Sequence, residues 1–299
     1  MNRSIIISEI RKSYGSLIAL DNISLSINSG ELFGLIGADG TGKTSLFEIL
    51  ATLTIPDSGE ASIGDSDVRK NKEAIRSSIG YMPGRFSLYQ DLSVSENLNF
   101  FATIFGTTIE NGSDLIAPIW NQLLPFSSRP AAKLSGGMKQ KLALCCALVH
   151  EPSVLLLDEP TTGVDPVARR EFWDILETIR QRGITILVST PYMDEALRCD
   201  RIAFIHEGRI LTVDTPDNLI SQYKGSVYEI RSDNIYAIID LIRKLDETKS
   251  CFAFGQSLHW STDVLSEQAT QLLRDNNIRI NELRAIKPTI EDCFMQLMK

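Results

Sequence analysis

The chain has 299 residues, of which 43% are hydrophobic and 23% are charged, and its formal net charge is −8. This composition is that of an ordinary soluble globular protein, and the length suggests one large domain and one smaller domain. No apolar run is long enough to span a bilayer and no signal peptide is apparent, so we expect a cytosolic chain that needs a separate partner at the membrane. The acidic excess argues against nucleic acid as a partner, because that binding rests on lysine and arginine clusters.

Two strand patterns come first in the chain. Residues 4–8 and 23–27 are rich in isoleucine and serine, and the second run alternates between apolar and polar residues. They predict an antiparallel β layer. Between them, Tyr14 precedes Gly15 at a predicted turn, and its ring is suited to stack on a nucleobase. A tyrosine that packs over the turn is the alternative.

A glycine-rich turn then follows the apolar run 32–36 and precedes a helical pattern over 45–50. The order strand, turn, helix and the spacing of the glycines predict a phosphate-binding loop. Its backbone N–H groups and the helix N-terminus would bind phosphate oxygens. We expect Lys43 to reach the β- and γ-phosphates and the Thr44 hydroxyl to ligate Mg²⁺. The predicted nucleotide-binding residues are Gly37, Ala38, Asp39, Gly40, Thr41, Gly42, Lys43, Thr44 and Ser45.

Residues 84–149 are predicted to form a helical subdomain inserted into the α/β core. Ser93 and Glu96 have the spacing of a capping box, and a second helix is predicted over 114–124. The aromatic residues of this segment are best interpreted as core. An aromatic-lined groove that receives a partner helix is the alternative.

A second glycine turn, residues 134–140, precedes a long apolar helix predicted over 141–149. Ser135, Gly136 and Gly137 lie in this turn, and they predict a second anion-binding helix end in the same chain.

The apolar run 154–157 is typical of a central parallel strand, and it is followed by Asp158 and Glu159. Ligands of open α/β sheets bind at the carboxyl ends of such strands. We predict that Asp158 holds Mg²⁺ through a water ligand and that Glu159 orients or deprotonates an attacking water. Asp165 is predicted to cap the next helix, with Pro166 as its first residue.

In this order, the segments resemble the ATP-binding subunits of ABC transporters over residues 3–220. The matching landmarks are the adenine-stacking aromatic Tyr14, the Walker A loop 37–44, the signature 134–137, the Walker B pair Asp158 and Glu159, and Asp165 at the dimer contact. Met138 follows the signature where many members have glutamine, and in this the sequence resembles the branch that contains drug- and lipid-type exporters.

The resemblance implies an ATPase that uses ATP and Mg²⁺, with Glu159 and Lys43 as catalytic residues. It also implies a dimer in which each ATP lies between the Walker A loop of one domain and the signature turn of the other. A polytopic membrane subunit, contacted by residues 84–106, would export the substrate, and the chain would lie at the inner face of the membrane.

Two positions depart from the family pattern. Gly84 stands where relatives have a glutamine, and Gln90 nearby has different spacing; Pro191 stands where relatives have a histidine. Because proline has no polar side chain and no N–H, it cannot donate to the γ-phosphate. We therefore expect good ATP binding and weak hydrolysis, in an asymmetric dimer with a second polypeptide. A slow homodimer, a non-hydrolysing binding module and a non-transport ABC protein are the alternatives.

The predicted fold class is α/β, a P-loop ATPase core with an antiparallel β layer and the helical subdomain, followed by a small α+β domain. The predicted domains are 1–222, with the helical subdomain at about 84–149, and 223–299. The second domain reads as strand, helix, two strands, helix, strand and helix, a ferredoxin-like order. We expect this second domain to stabilise or regulate a dimer; a passive domain is the alternative.

Overall fold

The computed structural model describes residues 2–109 and 113–298. It divides into two compact units, Met1–Asp214 and Thr215–Lys299. The sequence predicted the boundary at residue 222, eight residues further along the chain. The short helix after Thr215 therefore belongs to the second unit and not to the first. Residues 1, 110–112 and 299 of the predicted domains lie outside the described residues.

The first unit alternates strands and helices. Its strands are β1 (Ile5–Tyr14), β2 (Leu17–Ile27), β3 (Leu32–Ile36), β4 (Ser58–Ile63), β5 (Ser66–Asp67), β6 (Ile79–Met82), β7 (Val154–Asp158), β8 (Thr185–Thr190), β9 (Arg201–His206) and β10 (Arg209–Asp214). Its α-helices are α1 (Lys43–Leu50), α2 (Lys72–Ser78), α3 (Val94–Ile104), α4 (Ser113–Leu123), α5 (Gly136–Leu148) and α6 (Pro166–Gln181). Short 3₁₀ helices cover Leu124–Phe126, Ala131–Lys133 and Met193–Arg198.

These strands form two sheets. An antiparallel sheet has the order β2-β1-β4-β5, as the alternating pattern predicted. The second sheet has the order β10-β9-β3-β8-β7-β6, with parallel pairing from β9 to β6. Because parallel strands point the same way, the residues that follow β3, β6, β7 and β8 meet at one edge.

Apolar sequence holds this edge in place. Every residue of β3, β7 and β8 is buried, as expected for parallel strands covered on both faces. One buried cluster joins β1, β2 and β4 to β3, β7 and α1, and Leu46 and Phe47 of α1 are fully buried in it. The turn between β3 and α1 is therefore fixed at both ends.

The helical segment packs around α5, which contacts both α3 and α4. The predicted capping box of α3 is confirmed: Ser93 Oγ accepts from the Glu96 N–H, and Glu96 Oε2 accepts from the Ser93 N–H. Helix α5 begins at Gly136 rather than at the predicted residue 141, because Ser135 caps it by accepting from the Met138 N–H. Within the part of the chain that is described, none of the helices is long and apolar enough to cross a membrane.

The second unit is a four-stranded antiparallel sheet with helices. Its elements are α7 (Pro216–Ser221), β11 (Ser226–Arg231), α8 (Ile235–Arg243), β12 (Thr248–Phe254), β13 (Ser257–Thr262), α9 (Ser266–Asp275), β14 (Glu282–Ile286) and α10 (Ile290–Leu297). The sheet order is β12-β13-β11-β14. The chain order from β11 to β14 is the β-α-β-β-α-β order that the sequence predicted.

A buried hydrogen bond between a histidine and a carboxylate joins α10 to this sheet. His259 of β13 and Asp292 of α10 are 9% and 7% exposed, and His259 Nδ1 lies 3.1 Å from Asp292 Oδ1. Thr289 donates to Asp292 Oδ2 from its N–H and its hydroxyl. Burial raises the pKa of Asp292, but the hydrogen bonds from His259 and Thr289 outweigh burial and hold the pKa below its ordinary value.

Asp292→Asn is predicted to lower the free energy of unfolding at neutral pH by about 1–3 kcal/mol, since a charged hydrogen-bond acceptor is lost. A lowered folded-state pKa stabilises the protein above the unfolded-state pKa of about 3.9, and the stabilisation is lost as the pH falls through the folded-state value. The difference between wild type and variant should therefore shrink between pH 5 and pH 3 in urea unfolding. Asp263→Asn, at an exposed carboxylate, is the control; equal destabilisation by the two variants would contradict the prediction.

Candidate nucleotide-binding site

The predicted phosphate loop lies between β3 and α1 and depends on its glycines. Gly40 and Gly42 have φ angles of +78° and +98°. A Cβ atom at Gly42 would lie 2.2 Å from the Ala19 carbonyl oxygen, and one at Gly37 would lie 2.4 Å from the Ile205 carbonyl oxygen. A Cβ at Gly40 would meet no atom within 4 Å. The loop is thus packed tightly on its protein side and open at Gly40, where a ligand can approach the backbone.

Lys43 is the first residue of α1 and is only 3% exposed. Its Nζ donates to the carbonyl oxygens of Gly37 and Ala38, both at 2.8 Å, and lies 3.1 Å from Glu159 Oε1. A buried ammonium group is stable only with such partners. These contacts hold the charge at the centre of the loop.

The carboxylates that follow β7 reach the same place. Asp158 is 1% exposed; its Oδ2 accepts from the Thr44 hydroxyl at 2.7 Å, and its Oδ1 accepts from the Ser189 hydroxyl at 2.6 Å. Glu159 has a φ of +48°, a conformation that non-glycine residues adopt at a cost. Its N–H donates to Ser189 Oγ at 2.9 Å, which fixes the turn that directs its carboxylate to Lys43.

Two cavities meet at the loop. The larger, about 550 Å³, is lined by the loop, by the carboxylates and by the residues after β6, and it includes Asp39, Gly40, Thr44, Gly84, Asp158 and Glu159. The smaller, about 210 Å³, contains Tyr14, Gly40, Gly42, Lys43, Thr44, Ser45 and Glu159. Tyr14 is 46% exposed, and the Lys12 Nζ lies 5.3 Å from its ring centroid. The structure therefore places the predicted stacking aromatic beside the predicted phosphate loop.

The oxygen donors at Thr44 and Asp158 fit a magnesium ion. The described residues contain no group of three or more His, Cys, Asp or Glu side chains that could hold a metal. Mg²⁺ is ordinarily bound by one or two carboxylates together with phosphate and water oxygens, and not by an all-protein cage. One carboxylate and one hydroxyl at the edge of a phosphate site match that requirement.

The predicted signature residues lie elsewhere. Neither cavity is lined by any residue of 134–140. Ser135 caps α5, and a Cβ at Gly137 would lie 2.6 Å from the Ala168 Cβ, so glycine permits close packing of α5 on α6. Asp165 caps α6 as predicted, accepting from the N–H groups of Val167 and Ala168. One chain thus brings together Tyr14, the loop and the carboxylates, but not the signature turn.

Two residues of this region, Ser189 and Glu195, were not predicted from the sequence. Ser189 ends a parallel strand beside Asp158, so its position at the strand end was a usable signal. Glu195 is 4% exposed and accepts from the hydroxyls of Thr161 at 2.8 Å and Thr190 at 2.5 Å. It therefore joins the segment after Glu159 to the end of β8, and nothing in its local sequence indicates this burial.

Gly84 and Pro191, the two positions that depart from the family pattern, follow β6 and β8 at the same edge of the parallel sheet as the carboxylates. A Cβ at Gly84 would lie 3.2 Å from the Asp158 carbonyl oxygen and 3.6 Å from Asp158 Oδ2, so a side chain there would point at the carboxylate. Pro191 follows Thr190 at the end of β8. It offers neither an N–H nor a polar side chain to the site.

The family model described as "ABC transporter" matches residues 20–162. The Nod factor export ATP-binding protein I of Rhizobium sp. (strain N33) is 34% identical over 292 residues, which cover 96% of this chain and 94% of that protein. The chain belongs to the ABC transporter family. The ATP-binding domains of this family are ATPases.

Further relatives agree with this assignment. The probable multidrug ABC transporter ATP-binding protein YbhF of Escherichia coli (strain K12) is 39% identical over 216 residues. The match covers 72% of this chain but only 37% of YbhF, so the chain spans little more than a third of that relative. The structure of CbiO1 from Clostridium perfringens, part of the ABC transporter complex CbiONQ, is 27% identical with a TM-score of 0.66, over 74% of this chain and 92% of CbiO1.

Glu195→Ala is predicted to lower the free energy of unfolding by about 1–3 kcal/mol, because the buried hydroxyls of Thr161 and Thr190 lose their common acceptor. The matched control is Asp194→Ala, which removes the neighbouring, 70% exposed carboxylate and should change stability by no more than about 0.5 kcal/mol. Both are measured by urea unfolding. Equal values for the two variants would show that the Glu195 contacts do not stabilise the fold.

Proposed function

We propose that this chain binds ATP with Mg²⁺ and hydrolyses it as the energy-supplying subunit of an exporter. The observation that carries the proposal is the convergence of Lys43, Thr44, Asp158 and Glu159 at one edge of the parallel sheet. The relatives named for multidrug and Nod factor export support the exporter branch.

Each residue has a proposed role. The N–H groups of residues 37–45 and the N-terminus of α1 bind the phosphates, with Lys43 on the β- and γ-phosphates. Thr44 and Asp158 hold the magnesium ion, which neutralises developing charge when it is bound. Glu159 orients a water and accepts its proton; the water oxygen bonds to the γ-phosphorus as the bond from that phosphorus to the β–γ bridging oxygen breaks, which gives ADP and inorganic phosphate. Tyr14 stacks on the adenine ring.

We propose a dimer as the working unit. Because the signature residues Ser135, Gly136 and Gly137 line neither cavity of their own chain, they are available to complete the site of a second ATP-binding subunit. Ser135 and Gly136 are exposed at the N-terminus of α5, and a helix N-terminus is suited to bind a phosphate chain. This second subunit is either another copy or a different polypeptide.

A groove next to α3 is the proposed contact with a polytopic membrane subunit. It encloses about 360 Å³, and its lining includes Leu88, Phe101, Ile104 and Phe105 from the predicted contact segment 84–106. Ile104 is 59% exposed, and the Phe105 ring stacks on His150 with centroids 3.7 Å apart. Such an apolar, aromatic groove suits the apolar face of a helix. The chain is accordingly proposed to lie at the inner face of the cell membrane, with no nucleic-acid partner.

The site is proposed to be a weak catalyst by itself. The family's glutamine and histidine positions are Gly84 and Pro191 here, so two polar side chains that would face the γ-phosphate and its metal are absent. The loss of one preorganised donor commonly lowers turnover by about 10²–10³. A binding module that completes a partner's site is the second candidate, favoured by the same two residues. The unit from Thr215 to Lys299 is proposed to stabilise or regulate the dimer.

Steady-state ATP turnover by the purified chain tests this function, with Glu159→Gln as the blank. Wild type is expected to exceed the blank only slightly, and Pro191→His is expected to raise kcat by about tenfold to hundredfold, since it restores a donor. Turnover by wild type far above the blank, unchanged by Pro191→His, would contradict the weakened site and favour a self-sufficient homodimer. If mixing with a candidate partner subunit gives no additional turnover, the asymmetric dimer is also rejected.

A further inference from the structure

The segment that follows β6 contains a basic residue that the family comparison did not assign. Gly84 and Arg85 lie after the end of β6, the strand paired with β7 and therefore next to Asp158. Because Gly84 has no side chain, the space in front of the Asp158 carboxylate is left open. Both residues line the 550 Å³ cavity that contains Thr44 and Glu159.

The charge balance of this cavity is unusual for a site that binds a polyanion. Four carboxylates line it: Asp39, Glu48, Asp158 and Glu159. Arg85 is the one basic side chain in its lining as far as the chain is described. Lys43 lines the smaller cavity, where it is already bound to Glu159 and two carbonyl oxygens. Besides the magnesium ion proposed at Thr44 and Asp158, Arg85 is therefore the side chain of this lining that can offer positive charge to a triphosphate.

Arg85 is free to serve in that way. Its side chain is exposed, and within residues 2–109 and 113–298 it forms no hydrogen bond or ion pair. A guanidinium group presents five N–H donors in a planar fork that matches two phosphate oxygens at once. Nothing in the structure has to be broken for these donors to turn to a ligand in the cavity.

We propose that Arg85 binds the γ-phosphate of ATP and supplies donors that Gly84 and Pro191 cannot. In this arrangement the arginine distinguishes ATP from ADP and stabilises the negative charge that develops on the transferred phosphoryl group. The inference rests on the proposed ATP site, and it adds a catalytic residue to it.

Equilibrium binding tests this proposal without turnover. In the Glu159→Gln parent, the Kd values for MgATP and MgADP are measured by calorimetry for Arg85→Ala and Arg85→Lys. Arg85→Ala is expected to raise the Kd for ATP by about tenfold to hundredfold and to change the Kd for ADP less than about twofold, because ADP lacks the contacted phosphate. Arg85→Lys keeps the positive charge but not the planar fork of donors. Its Kd for ATP should therefore lie between those of the Glu159→Gln parent and of Arg85→Ala. Arg274→Ala, at an exposed arginine of α9, is the control and should leave both values unchanged.

Turnover gives the second readout. In the chain with an intact Glu159, Arg85→Ala should lower ATP turnover at saturating ATP to that of the Glu159→Gln blank. An unchanged Kd for ATP overturns the Arg85 proposal while the proposed function stands. An equal loss of ATP and ADP affinity overturns the assignment to the γ-phosphate. A Glu159→Gln parent that binds neither nucleotide overturns the proposed function, and the Arg85 proposal with it.

Discussion

The site depends on a cation held almost without solvent. Lys43 is 3% exposed, and its ammonium group is stabilised by two loop carbonyl oxygens and by Glu159. Each partner imposes a condition on the fold, because an unpaired buried charge would cost several kcal/mol. The loop must turn tightly enough to direct its carbonyls inward, which requires glycine at residues 37 and 42. Glu159 must leave the strand direction, and it does so through a left-handed conformation that Ser189 supports.

The sequence predicted the local elements of this arrangement better than their mutual contacts. The glycine spacing and the apolar runs identified the loop, β3 and β7, because local backbone geometry and two-sided burial restrict which residues can occur there. The capping box at Ser93 was also predictable, since it is made by residues three apart. Glu195 was not, because its partners are Thr161 and Thr190, and burial of a carboxylate depends on where the chain returns.

The boundaries of helices and units were also hard to predict from the sequence, because they depend on contacts that a local pattern does not show. Helix α5 starts earlier than its apolar pattern, because the Ser135 cap extends it over two glycines of low helix propensity. Helix α7 precedes the predicted domain boundary in sequence but contacts α10 of the second unit. Composition alone does not show such packing. The pairing of His259 with Asp292 likewise joins residues from separate elements, and no sequence motif marks it.

Some residues of the site are held by direct contacts, and others make no polar contact. Lys43, Thr44, Asp158 and Glu159 are joined by direct contacts, whereas Gly84 and Pro191 offer no polar group and Arg85 is unengaged among the described residues. In the proposed function, Lys43 binds the phosphates before transfer, whereas the polar groups that would stabilise the charge developing during transfer are absent at Gly84 and Pro191. This separation is the physical reason to expect firm ATP binding together with slow hydrolysis.

The most direct test of the ATP site is the Kd of the purified chain for MgATP, measured by calorimetry for wild type and Lys43→Met, with thermal unfolding to verify that both are folded. The site described here predicts measurable binding by wild type and a Kd raised by about tenfold or more in Lys43→Met, because a charged contact with the phosphates is lost. An unchanged Kd in a folded Lys43→Met variant would show that ATP does not bind at this loop and would contradict the central claim.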